Sequence, residues 1–71
     1  MRAATASELA DYLERHVLVN GPQSRSQSER ILWRHFGYLS REQMAQAIIV
    51  ADCRKQIVRE NGGETLRRAG R

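Results

Sequence analysis

Among side chains suited to acid–base or nucleophilic chemistry, His16, His35 and Cys53 stand out, because the chain has no other histidine or cysteine. Catalysis would require each to have a partner that orients or activates it. His16 falls at the end of the first helical stretch, where an imidazolium favours the negative end of the helix dipole, and His35 stands beside Phe36 on an apolar face. Both spacings read as structural histidines. Cys53 precedes Arg54 and Lys55, cations that activate a thiol when they converge on it. Consecutive helical residues point apart, so Cys53 reads instead as a small, half-buried packing residue. No nucleophile, base and orienting group can be assembled, so no enzyme is expected. One cysteine excludes an internal disulfide, and with two histidines it falls short of a closed zinc site. No metal and no cofactor is expected.

The other chemistry in the chain is cationic. Residues 1–20 carry Arg2 and Arg15 against Glu8, Asp11 and Glu14, whereas residues 21–71 carry ten basic groups against five acidic ones. The formal charge of +4 therefore belongs to the last two-thirds. Clustered cations favour an anionic partner, nucleic acid first, because binding releases counterions from phosphate. Arg30 and Arg34 lie one turn apart, and Arg54, Lys55 and Arg59 lie within about two turns if their segment is helical. These five are the candidate phosphate-binding residues. The same cations also suit the negative end of a helix and a solvated surface. A second candidate surface is apolar: Trp33, Tyr38, Ile48, Ile49 and Val50, together with Phe36, exceed what one helical stripe buries.

Three helix-start signatures must position these residues. Thr5-Ala6-Ser7-Glu8, Ser26-Gln27-Ser28-Glu29 and Ser40-Arg41-Glu42-Gln43 each allow a hydroxyl and a Glu or Gln to satisfy two orphan amides reciprocally. They predict helices over residues 6 to 15 or 16, 27 to 36 and 41 to 60. Leu9 and Leu13 form the apolar stripe of the first, Gly37 ends the second, and Asn61-Gly62-Gly63 ends the third. Leu39 and Met44 fit a hydrophobic staple across the third helix's start. Val17-Leu18-Val19 reads as an apolar connector, and Pro22 to Ser28 as a polar loop. Residues 44 to 51 are apolar almost all round, which predicts burial on several sides and surface left over for a second copy.

The expectation is a small all-α domain over residues 1–63, with three helices, the third longest, and a basic flexible tail over residues 64–71. Arg41 to Val58 also admits a helix-turn-helix, with Asp52 capping a second helix; Ile49 then stands where the turn favours glycine, and Lys55 where an apolar brace belongs. The expected function is non-enzymatic: a nucleic-acid-binding or transcription-regulatory protein of the small bacterial or phage type, forming a homodimer. The alternative is a protein-interaction module, an inhibitor or adaptor of a larger machine, using the apolar and aromatic surface. No apolar run approaches a membrane span, and Met1 to Ala4 lead into a capped helix rather than a signal-peptide apolar region, so no membrane partner and a cytoplasmic location are expected.

Overall fold

The computed structural model describes residues 4 to 70. Met1 to Ala3, part of the lead-in read as lacking a signal peptide, and Arg71 of the expected tail lie outside the described residues. The elements run α1 (Ala6–Tyr12), a π-helical turn (Leu13–Val17), β1 (Gln23–Ser24), α2 (Arg25–Phe36), α3 (Arg41–Cys53), β2 (Ile57–Glu60), a 3-10 turn (Asn61–Gly63) and β3 (Thr65–Arg68). The strands form one antiparallel sheet in the order β1-β3-β2. The expectation of an all-α domain is thus corrected: the fold is mixed, three helices packed with a three-stranded sheet.

Two of the three start signatures form as read. Thr5 and Ser40 each accept from the third amide beyond them at 3.1 Å, and Glu8 and Gln43 accept from the cap amides at 2.9 Å. Leu39 and Met44 are both buried in the core, as a staple requires. The second signature shifts: Ser24, not Ser26, caps α2, accepting from Gln27 N at 3.1 Å, while Ser28 Oγ donates to the Ser24 carbonyl at 2.9 Å. Ser24 is already extended by pairing with Thr65 in the sheet, so its backbone stands in the cap conformation.

The larger correction falls after Cys53. The helix expected to reach Glu60 ends there, because the chain turns through a left-handed residue, Lys55, with φ of 60°. The amide of Lys55 donates to the Asp52 carbonyl at 3.0 Å and that of Gln56 to the Ala51 carbonyl at 2.8 Å. These two bonds form a Schellman motif with lysine in the place glycine usually holds. Gln56 then fixes the new direction, its Nε2 donating to Asp11 Oδ1 at 2.9 Å and to Glu14 Oε1 at 2.8 Å on the first helical segment.

Beyond it, Ile57–Glu60 and Thr65–Arg68 pair as a hairpin, joined through Asn61 and Gly62 at positive φ. Residues 64 to 70, assigned by composition to a flexible tail, therefore supply the central strand. Leu66 at its middle is fully buried and Ile57 is 2% exposed, so the hairpin completes the core formed by Leu9, Leu13, Leu32, Met44, Ala47, Ile48 and Ala51. No described helix is long and apolar enough to cross a membrane.

Candidate nucleic-acid interface

The third helix no longer carries all the chemistry assigned to it. Arg54 caps α3, Lys55 sits in the left-handed turn and Arg59 lies on β2, so they do not project from one helical face. Arg54 folds back on α1, its Nη1 donating to Ser7 Oγ at 2.9 Å and lying 3.8 Å from Asp11 Oδ1. Arg59 pairs with Asp52 at 3.3 Å. Arg67, on the central strand, pairs with Glu60 at 3.1 Å. Each of these pairs is roughly half exposed, a setting in which ion pairs are worth roughly 0–1 kcal/mol, so they tidy the surface without locking the cations. Lys55 and Arg68 are exposed and have no ion-pair partner among the described residues.

The apolar set divides as well. Ile48 is 3% exposed and belongs to the core, Val50 packs against the core from its edge, and only Ile49, 47% exposed, faces outward. The chain itself thus covers part of the apolar surface from which a second copy is expected, and Ile49 stays open. Trp33 and Tyr38 do remain exposed and lie together, ring centroids 5.5 Å apart, with Trp33 Nε1 donating to the Leu39 carbonyl at 3.1 Å. Arg30 and Arg34 occupy the same face of α2 as Trp33, at three- and four-residue spacing.

His35 and Cys53 differ from expectation in exposure. Cys53 is exposed rather than half-buried. His16 and His35 are exposed too, and both lie against Tyr12, with centroids 4.6 Å and 4.3 Å away, the His35 ring stacked. The His35 stack and the edge contact of Phe36, at 5.2 Å, tie Tyr12 to α2, whereas the His16 contact stays within the first helical segment. Among the described residues no three His, Cys, Asp or Glu side chains gather as a metal site.

What the tertiary structure assembles instead is a corner. Helices α2 and α3 are joined by Gly37 to Ser40, with Gly37 at φ of 90° ending the first and boxed Ser40 starting the second. The turn is short, contains a glycine and buries Leu39, as the turn of a helix-turn-helix does, but α3 packs chiefly on α1 and not on α2. This turn lies one element earlier than the Arg41 to Val58 segment. The inner face of α3 buries Met44, Ala47, Ile48 and Ala51, and its outer face presents Glu42, Gln46, Ile49 and Cys53 at helical spacing, with Arg41 at its first turn. An amide, a guanidinium, a carboxylate and an aliphatic group are the types that read base edges.

Clustered charge does not mark Gln46 and Arg41; the signal for them is the exposed stripe left once the apolar positions of α3 are placed inward. The hairpin that follows α3 was marked by Asn61-Gly62 between two β-prone runs. Comparison with protein-family models, with curated proteins and with solved structures gives no match for this chain.

Proposed function

We propose that the protein is a non-enzymatic regulator that binds duplex DNA, offering α3 to the major groove and setting the exposed cations of the hairpin and of the start of α2 against phosphate. The observation that carries this reading is the outer stripe of α3, Arg41, Glu42, Gln46 and Ile49, which begins directly after the glycine-containing turn. In a helix-turn-helix the N-terminal residues of the second helix meet base edges while the first helix crosses the backbone. Gln46 suits adenine, Arg41 guanine or phosphate, and Ile49 a thymine methyl. Arg25 at the start of α2 and Arg68 on β3 are exposed and without ion-pair partners among the described residues, and phosphate neutralises them.

The test is fluorescence anisotropy of labelled duplex over a salt series, followed by selection from a random duplex pool. Affinity is expected to fall steeply with salt. Arg68→Ala should weaken every duplex alike and flatten the logarithmic salt slope by about 0.9. Gln46→Ala should keep the slope but lose about 1–3 kcal/mol of preference at one base pair of the selected site. Absence of salt-dependent binding to any duplex overturns the proposal.

A further inference from the structure

The outer face of α2 is not needed by the stripe on α3, and it has its own character. Arg30, Trp33 and Arg34 share that face, and Tyr38 on the turn joins them through its ring contact with Trp33. Trp33 is 40% exposed and Tyr38 79%, and the indole is oriented before anything binds by its bond to the Leu39 carbonyl. Trp, Tyr and Arg are the residue types that dominate protein interfaces, the aromatics because they bury much area for little lost rotamer freedom and Arg because its planar fork pairs with carboxylates. Arg30 and Arg34 flank the knob with no ion-pair partner among the described residues. That combination asks for apolar side chains on the knob and carboxylates beside it.

We infer that the face formed by Arg30, Trp33, Arg34 and Tyr38 docks an acidic peptide segment of a partner protein, independently of the duplex proposed for α3. A second copy fits less well: a two-fold contact places the same patch on both sides and gathers four arginines against only the two half-buried Glu29 carboxylates, one turn before Trp33 on each α2. A stacked nucleobase fits less well than a peptide. The Trp33 and Tyr38 rings lean on each other at 33° and the indole N–H is committed, which leaves an irregular knob rather than an open flat platform.

Trp33 is the only tryptophan, so its emission reports on this face directly. The probe is a short synthetic peptide in which Glu alternates with Leu, with a control peptide carrying Lys in place of every Glu. The acidic peptide should shift Trp33 emission saturably, and the control should not. Arg30→Gln combined with Arg34→Gln should weaken peptide binding by about tenfold or more, a change of about 1.4 kcal/mol, while duplex binding by the same variant changes much less. Tyr38→Ala, which leaves the reporter and both arginines in place, should also weaken the peptide, with helical circular dichroism unchanged. An emission shift that is absent, or equal for the lysine peptide, overturns the inference. So does loss of duplex binding in the double variant to the same extent as peptide binding, which would assign the face to nucleic acid.

Discussion

At the scale of the residue, the position that shapes the molecule most is Lys55. A left-handed backbone costs an L-residue roughly 1–2 kcal/mol, and lysine offers no local hydrogen bond to offset it as asparagine would. The conformation holds because the neighbours over-determine it: two Schellman bonds on one side, and on the other the Gln56 amide shared between Asp11 and Glu14. Glycine would relieve the strain while adding roughly 0.5–1 kcal/mol of chain entropy to the unfolded state. Lys55→Gly is therefore expected to stabilise the protein by about 0.5–1 kcal/mol, raising Tm by about 2–8 °C in a domain of this size. A thermal melt checks it. A lower Tm would mean that the lysine side chain contributes more than the turn geometry accounts for.

At the scale of the element, the start of α2 shows how a sheet selects a cap. Both Ser24 and Ser26 are chemically able to cap, and local sequence favours Ser26 because Glu29 completes a box. Ser24 prevails because pairing with Thr65 extends its backbone, and because the Arg25 amide, orphaned at the helix start, donates to the Glu64 carbonyl at 2.9 Å. Ser24→Ala should cost about 1 kcal/mol. Ser26→Ala, at an exposed helical position, should change stability by less than about 0.5 kcal/mol. Urea denaturation of the two variants separates them, and the reverse order would restore Ser26 as the cap. The same start sets where Arg25 is presented, so Ser24→Ala should also weaken duplex binding slightly.

At the scale of the whole molecule, the hairpin is part of the core rather than an appendage. Its central strand pairs with both neighbours and buries Leu66 completely. Deleting residues 64–71 should therefore abolish the cooperative thermal transition, since β1 and β2 lose the strand with which both pair and the core loses Leu66. Loss of a tail that made no contacts would leave the melt unchanged, and circular dichroism on heating distinguishes the two. The mixed fold also redistributes charge. Arg54, Arg59 and Arg67 are each returned to a carboxylate of the chain, while Arg25, Lys55 and Arg68 stay available, so the basic character inferred from composition persists with different carriers.

Local pattern determined what depends on neighbours within a turn or two. The Thr5 and Ser40 boxes, the Leu39–Met44 staple, the stop at Gly37 and the inward stripe of α1 were legible because each is a matter of short-range hydrogen bonding and helical period. The one-turn spacing of Arg30 and Arg34 was legible for the same reason, whereas Trp33, read as part of a separate apolar surface, shares their face of α2. The end of α3 was not legible, because no glycine or proline marks it: Cys53 to Gln56 are tolerable helix formers, and what stops them is tertiary, the bonds of Gln56 to Asp11 and Glu14 more than forty residues earlier and the burial of Ile57 and Leu66 in the core. Asn61-Gly62 is compatible with a helix stop and with a hairpin turn, and only the pairing of the strands on either side distinguishes them. Arg54, Lys55 and Arg59 were placed on one face by the same extrapolation of a helical period. Tertiary structure decided their places, since a strand that completes the core gains more by burying two large side chains than a solvated helical extension gains from its own propensity.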